Sequence, residues 1–304
     1  MYKICAILLA AASVFSDAEA QLVQLPDWDS VEMNTFDLGN GIYMLDGFGG
    51  NIGVSVGEDG VFLVDDQYAP LTPKVLAAIG ALTEQPVRFV INTHWHPDHT
   101  GGNENLGKLG ALIFSQDNAR ATLVEELTKQ ALEKKIALAP EALPLVTFNN
   151  SVTFHLNGET VHVFHIAPAH TDGDVVVHFI EADVIHSGDA YFNGFYPSID
   201  VGHGGSIDGM IAFYDQLLEL SGPDTKIVPG HGPVSNRDEV QRYQAMLKTV
   251  RQRVADAVAS GQSLDDLIAA APLADLDPEW GDNLVKAPLL LSMVYANLSG
   301  DNQE

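Results

Sequence analysis

Cysteine is nearly absent from this sequence. Cys5 is the only cysteine in 304 residues, and it lies among the first 20. A mature chain that begins after residue 20 therefore has no thiol, which excludes disulfide bonds, cysteine-ligated zinc and a cysteine nucleophile. Any metal chemistry of that chain relies on histidine, aspartate, glutamate and water.

Positive charge is also scarce. The chain has 15 lysines and arginines against 41 aspartates and glutamates, a formal net charge of −26 at pH 7. Loss of Lys3, Asp17 and Glu19 with the first 20 residues changes this charge only to −25. Such an excess repels a phosphate backbone, which excludes nucleic acid as a partner. It favours solubility in an exposed or saline compartment.

Long apolar runs are confined to the N-terminus. Lys3 precedes an apolar stretch over residues 4–15, and Ala18, Glu19 and Ala20 follow in a form typical of signal-peptide cleavage sites. The stretch is shorter than the roughly 20 residues that span a bilayer. We therefore predict a signal peptide over residues 1–20, a periplasmic or secreted protein, and no stable membrane insertion after cleavage.

The rest of the chain alternates β-type and helical patterns. Strands are expected within residues 36–66, as an antiparallel meander, and at 87–91 and 111–114, with helices over residues 72–82, 117–135, 206–220 and after residue 238. Residues 146–186 return to short β-type runs, and Asn157 followed by Gly158 gives a hairpin signal. The pattern predicts an α/β chain with two mixed sheets, although periodicity alone does not fix how the sheets pack.

The most informative motif is the run THWHPDHTGG at residues 93–102. It places three imidazoles and a carboxylate, those of His94, His96, Asp98 and His99, within six residues. Imidazole and carboxylate are ligands of zinc and similar divalent ions, and a short loop can direct them at two neighbouring points. The run follows a predicted strand, a position where α/β proteins commonly place their chemistry. We interpret it as a two-metal hydrolytic site.

Three further residues supply matching chemistry. His170, Asp189 and His231 each follow a β-type run. Paired histidines alone are weak grounds, since such pairs are more often ordinary surface or core residues. With the HxHxDH run and an early aspartate, Asp65, they nevertheless make the chain resemble the metallo-β-lactamase superfamily over about residues 35–234.

The resemblance implies a fold and a ligand set. The fold is an αββα sandwich of two mixed β-sheets with outer helices, and the site lies where the sheet edges meet. Two Zn²⁺ per chain are implied, although other divalent metals suit the same ligand types. The first zinc would be held by His94, His96 and His170, the second by Asp98, His99 and His231, and Asp189 would bridge them. A hydroxide shared by the metals is the expected nucleophile, and Asp98 is expected to hold or orient it.

Residues near the ligands carry weaker predictions. Asp65 is expected to support the ligand loop from behind, or to be a turn acid, and sequence does not separate it from Asp66. On residues 191–205, Tyr196 or His203 could donate a hydrogen bond to an oxyanion, and aromatic packing explains that segment equally well. Five other histidines are interpreted as ordinary strand residues and excluded as ligands. They are His155, His162, His165, His178 and His186.

Membership of the superfamily does not choose a substrate. The scarcity of basic residues disfavours a nuclease. We expect no second, flavin-binding domain after residue 234, which disfavours a flavin-dependent oxygen reductase. We predict an exported zinc-dependent hydrolase of a small-molecule cyclic amide or ester, with β-lactam hydrolysis as the leading activity. Asp189 in the bridging position favours instead a thioesterase or lactonase of the glyoxalase II type. A metal-dependent binding protein is the alternative that is not an enzyme.

We divide the chain into the signal peptide, a catalytic domain over residues 21–235 and a C-terminal helical extension over residues 236–304. Apolar stripes in the extension, such as Val250, Val254 and Val258, predict packing on the core. The apolar run over residues 287–298 leaves a homo-oligomer contact open as well.

Overall fold

The computed structural model describes residues 25–166 and 168–300. Contacts divide the chain into a short N-terminal unit that ends at Val31 and a large unit that begins at Glu32. In the part of the first unit that is described, Trp28–Ser30 forms a single 3-10 turn. The predicted signal peptide lies outside the described residues.

Two mixed β-sheets form the centre of the large unit. Within the described residues, the first sheet consists of β1 (Asn34–Gly39), β2 (Ile42–Asp46), β3 (Ile52–Ser55), β4 (Val61–Val64), β5 (Val87–Ile91), β6 (Leu112–Gln116) and β7 (Val146–Phe148). The second consists of β8 (Ser151–Leu156), β9 (Glu159–His165), β10 (Val175–Phe179), β11 (Val184–His186) and β12 (Lys226–Val228). In the first sheet β1 to β4 pair antiparallel and β4 to β7 parallel. In the second, β8 to β11 pair antiparallel and β12 joins β11 in parallel.

Local sequence explains most of this strand pattern. The meander over residues 36–66 is confirmed by β1 to β4, and Asn157 and Gly158 join β8 to β9 with φ values of 55° and 79°. These left-handed values suit the two-residue hairpin turns that asparagine and glycine favour. The β-type runs over residues 146–186 were expected to form one second sheet. This was wrong for β7, which pairs with β6 of the first sheet. A mostly exposed strand of three residues carries no alternation that reveals its sheet.

Helices cover the outer faces of the two sheets. They are α1 (Thr72–Gly80), α2 (Pro97–Thr100), α3 (Asn103–Lys108), α4 (Asp117–Lys134), α5 (Ile207–Leu220), α6 (Arg237–Ser260), α7 (Leu264–Ala269), α8 (Asp277–Trp280) and α9 (Ala287–Ser299). Between the sheets lies an aromatic core in which the Phe62 ring is 5.0 Å from that of Phe154 and 6.3 Å from that of Phe179. Val75 and Ile79 of α1 pack on the other face of the first sheet. The arrangement is the expected αββα sandwich.

The C-terminal helices pack on the outer layer of the second sheet. Val250 and Val254 of α6 are buried in one apolar cluster with Leu290, Leu291 and Val294 of α9. Each such side chain contributes roughly 1.5–3 kcal/mol when fully buried, so packing within the chain explains the apolar stripes. A homo-oligomer contact through these helices remains a prediction. Among the described residues, no helix is long and apolar enough to cross a membrane.

Candidate metal centre

The ligand loop, residues 93–102, follows β5 and changes conformation midway. His96 has an extended backbone, with φ −61° and ψ 148°, and Pro97 begins the single-turn helix α2. Proline suits the first helical position, because its fixed φ is helical and no hydrogen bond is lost there. His94 therefore lies in a bend after β5 and His96 in an extended position, whereas Asp98 and His99 leave a helical turn, so the two pairs face different points.

Asp65 holds the ligand loop from β4. Its buried carboxylate accepts hydrogen bonds from the N–H and the hydroxyl of Thr93, both at 2.7 Å, and lies 2.7 Å from His99 Nδ1. Asp66 instead accepts from the N–H of Gly102 at 2.9 Å. A carboxylate on Nδ1 fixes the tautomer of the imidazole and leaves Nε2 free for a metal. The structure thus separates the two aspartates, and only Asp65 binds an imidazole of the loop through its side chain.

Three imidazole nitrogens converge near one point. His170 lies between β9 and β10, and its Nδ1 donates to the carbonyl oxygen of Ser198 at 2.9 Å, which leaves a lone pair on Nε2. This Nε2 lies 2.9 Å from His96 Nδ1, and His94 Nε2 lies 3.1 Å from the same atom. Asp174 fixes the backbone of the segment by accepting from the N–H of His170 at 2.7 Å.

A second group forms beside the first. His231 follows β12, and its Nε2 lies 3.3 Å from Asp98 Oδ2 and 3.4 Å from His99 Nε2. His99 Nε2 lies 3.6 Å from Asp98 Oδ2. The ring of Phe192 stacks on that of His231 at 5.5 Å with an interplanar angle of 3°, which limits rotation of the imidazole.

Asp189 lies between the two groups. Its Oδ2 is 3.4 Å from His231 Nε2, 3.6 Å from His170 Nε2 and 3.9 Å from His94 Nε2. Its other oxygen, Oδ1, is 3.1 Å from His99 Nε2. The carboxylate is buried and can face two cations at once.

Glycines permit the close approach of backbone to these ligands. A Cβ added at Gly230 would overlap Oδ1 of Asp189, and one added at Gly50 would overlap the imidazole of His99. Gly102 ends the ligand loop and also lies close to backbone. A Cβ there would lie 2.7 Å from the carbonyl oxygen of Asp66, so the space serves the backbone after β4.

The donor set fits a divalent cation. The ligand atoms of His94, His96, His170 and Asp189 lie within 4.8 Å of one another, as do those of Asp98, His99 and His231. The nitrogens of His94 and His170 lie 3.1 and 2.9 Å from His96 Nδ1, and a single proton on that atom can form a hydrogen bond with only one of them. Tetrahedral zinc with Zn–N bonds of about 2.0–2.1 Å holds its nitrogens roughly 3.3–3.4 Å apart. The His/Asp groups therefore form a metal site whose donors suit zinc.

Burial and carboxylates set the protonation of the histidines. Burial lowers the pKa of His94 well below its usual value and that of His170 to about 4, so both are neutral at pH 7. Burial also opposes charge on His231, but Asp189 and Asp98 outweigh it and raise its pKa to about 9. A cation that binds His231 therefore displaces a proton.

Asp200 and His203 extend the centre to the surface along the mouth loop, residues 191–205. Asp200 Oδ2 lies 3.1 Å from His96 Nε2 and 2.8 Å from His203 Nδ1. Burial raises the pKa of Asp200, but hydrogen bonds from His203 and His96 outweigh this and hold it well below its usual range. The His203 ring lies 4.7 Å from that of Trp95, and 35% of the side chain is exposed. The sequence did not single out Asp200, and its spacing of three residues before His203 was the available signal.

Tyr196 was expected at the substrate mouth, and the structure contradicts this. The side chain is fully buried, and its hydroxyl donates to Asp277 Oδ1 at 3.0 Å. Its N–H donates to the carbonyl oxygen of Trp280 at 2.9 Å. Aromatic residues that pack and those that line a mouth have the same sequence pattern, so only the position of α8 reveals which applies.

The structure brings the seven predicted ligand residues and Asp65 together, and it leaves His203 at the rim. Among the described residues, none of the five histidines that the sequence excluded belongs to either group. The individual ligand roles remain predictions that metal titration can test.

Comparisons with known proteins agree with this geometry. The sequence profile of the metallo-beta-lactamase superfamily matches residues 45–231. A linear primary-alkylsulfatase of Pseudomonas sp. is 22% identical over 71% of this chain and 48% of its own length. A hydroxyacylglutathione hydrolase of Pelagibacter ubique is 27% identical over 48% of this chain and 52% of its own. The chain thus spans about half the length of these curated relatives.

Solved structures show the same fold. A metallo-beta-lactamase from Pontibacter korlensis has a TM-score of 0.58 and 18% identity, and the match covers 71% of this chain and 99% of that one. A stereoselective inverting sec-alkylsulfatase from Pseudomonas sp. has a TM-score of 0.65 and 17% identity, with 87% of this chain and 50% of that one covered.

The αββα sandwich and its His/Asp groups define a metal-binding α/β protein. With more than half of its residues matched by the profile, the chain belongs to the metallo-beta-lactamase superfamily.

Proposed function

We propose that this chain is an exported dizinc hydrolase that opens an acyl bond in a small molecule, with a lactone or thioester as the foremost substrate. The position of Asp189 carries the proposal, because its two oxygens lie 3.1–3.9 Å from histidines of both groups. A carboxylate in that position can bridge two metals.

The residues of the chain divide the work as follows. When bound, zinc polarises a carbonyl and lowers the pKa of a coordinated water to about 7. Asp98, 20% exposed and 3.3 Å from His231, could accept a proton from the attacking water and orient it. His203 lies at the rim, where its ring can donate a hydrogen bond to the oxygen that gains charge. Asp200 accepts from Nδ1 of this ring, which leaves Nε2 to donate to that oxygen.

The ligand arrangement favours an ester over a β-lactam. The sequence resemblance associates a bridging aspartate with thioesterases and lactonases. β-Lactam hydrolysis remains the second candidate, favoured by the structural match that covers 99% of a metallo-beta-lactamase.

A substrate panel tests the proposal. Zinc-loaded protein is incubated with a thioester, a γ-lactone, a chromogenic cephalosporin and an alkyl sulfate, with a chelator-treated sample as the control. We expect chelator-sensitive hydrolysis of the thioester or lactone at least tenfold faster than that of the cephalosporin. A cephalosporin preference of tenfold would replace the lead by the second candidate. No turnover by protein of confirmed zinc content would leave a metal-dependent binding protein.

Export is a separate part of the proposal. It is supported by Lys3, the apolar stretch over residues 4–15 and the Ala18 to Ala20 segment. Expression of the full chain in a Gram-negative bacterium should yield periplasmic protein whose mass corresponds to a start at Gln21. Cytoplasmic protein that retains residues 1–20 would contradict it. We further propose that the partner is a small molecule and that nucleic acid is excluded.

A further inference from the structure

An apolar cavity lies beside the metal centre and has no part in the mechanism above. Its volume is about 310 Å³. This is at the lower end of small-molecule pockets and about ten times the ~30 Å³ share of one water molecule. The cavity lies between α4, the ligand loop and the segment that follows α4. Its main apolar residues are Ala69, Trp95, Leu123, Leu127, Ile136 and Leu138.

Trp95 connects the cavity with the metal centre. Its indole lines the cavity, and its ring lies 4.4 Å from that of His96 and 4.7 Å from that of His203. Leu123 and Thr100, which also line the cavity, are buried, whereas Ile136 is 63% exposed. The cavity therefore runs from solvent inward to a point one indole ring away from a predicted zinc ligand.

The charge of the cavity disfavours an anionic tail. Glu104 and Glu126 line it against a single cation, Lys134, in a chain whose formal charge is −26. An uncharged aliphatic chain meets no such repulsion and gains from each buried methylene.

From these observations we infer that the cavity binds the uncharged aliphatic chain of an acyl substrate, with the chain among Leu123, Leu127 and Leu138. The identity of the substrate in this inference rests on the proposed hydrolase function. The binding of an aliphatic chain does not depend on that function. Decanamide is uncharged and resists hydrolysis, so its binding tests the cavity independently of turnover.

Binding is measured first, on chelator-treated protein that has no turnover. Calorimetric titration should show one decanamide bound per chain, and acetamide should show no binding. The variant Leu127→Trp fills the cavity from α4 and should weaken decanamide binding at least tenfold. Leu132→Trp is the matched control, because Leu132 is 73% exposed on the same helix and does not line the cavity. Equal weakening by both variants, or no binding to the wild type, would overturn the inference.

Kinetics on zinc-loaded protein then link the cavity to catalysis. For thioesters with chains of two to ten carbons, kcat/KM should rise about threefold per added methylene until the cavity is full. Leu127→Trp should remove this rise, and Leu132→Trp should keep it. Hydrolysis that does not depend on chain length would overturn the inference and leave the hydrolase function standing. Decanamide binding without any hydrolysis would overturn the hydrolase function and leave the binding of an aliphatic chain in the cavity standing.

Discussion

The ligand loop and the mouth loop both approach the metal centre, yet they are held in place by different parts of the chain. Asp65, which directly follows β4, fixes the ligand loop through Thr93 and His99. The C-terminal helices fix the mouth loop. Met293 Sδ accepts from the N–H of Ile199, and Asn297 donates to the carbonyl oxygen of Gly205.

The comparison teaches that the two loops have separate outer supports, and that the mouth loop meets the predicted ligands His170 and His96 through Ser198 and Asp200. The contacts of the ligand loop lie within the sandwich, so its geometry follows from neighbouring strands. Contacts of the mouth loop with α9 join residues more than 90 positions apart. Changes at the first support should alter metal affinity. Changes at the second should alter turnover and leave the metals bound.

The largest effect is expected from Asp65→Asn. An amide cannot accept from Thr93 twice while also binding His99, so zinc affinity should fall tenfold to a hundredfold in competition with a chromogenic chelator. Asp66→Asn is the matched control. Burial raises the pKa of Asp66 well above its usual value, and the N–H of Gly102 binds Oδ1 of its carboxyl while Oδ2 has no partner, so an amide oxygen can accept the same hydrogen bond. Equal losses for the two variants would mean that Asp65 has no special support role.

A smaller effect is expected from Asn297→Ala on α9. The change removes the hydrogen bond to Gly205 and the one that Asn297 Oδ1 accepts from the N–H of Ile207 at 3.1 Å. With His203 less firmly placed, kcat should fall about threefold to tenfold while zinc content by mass spectrometry stays at the wild-type value. Ser292→Ala on the exposed side of α9 is the control. A loss of zinc in Asn297→Ala would show that the two supports are not separate.

The smallest effect concerns stability and pH at His203. The hydrogen bond to Asp200 raises the pKa of His203 above 6.5, with Glu126 adding to the rise and Lys129 opposing it. The folded state therefore keeps a proton that the unfolded state releases. The stability from this pair is complete below about pH 6.5 and is lost as pH rises through the raised pKa.

Urea unfolding of wild type and His203→Gln at pH 6 and pH 9 measures this contribution. The gap between the two proteins should be up to about 1 kcal/mol at pH 6, as for a partly exposed pair, and should narrow at pH 9. A gap that widens with pH would contradict the assigned direction of the shift.

The same division explains what the sequence could predict. His94 to His99 are recognisable because six consecutive residues carry the chemistry, and strands such as β4 and β5 have clear apolar patterns. The αββα packing and the partners of Asp189 came from a family resemblance. The burial of Tyr196 against α8 and the pairing of β7 with β6 depend on segments distant in the chain. Neither leaves a local signal.

The shared position of Asp189 is the central claim, and zinc titration of chelator-treated protein tests it most directly. Calorimetry should show two zinc ions bound per wild-type chain and at most one per chain of Asp189→Ala, with circular dichroism confirming that the variant folds. A single zinc in the wild type, or two zinc ions bound equally tightly by the variant, would contradict the account.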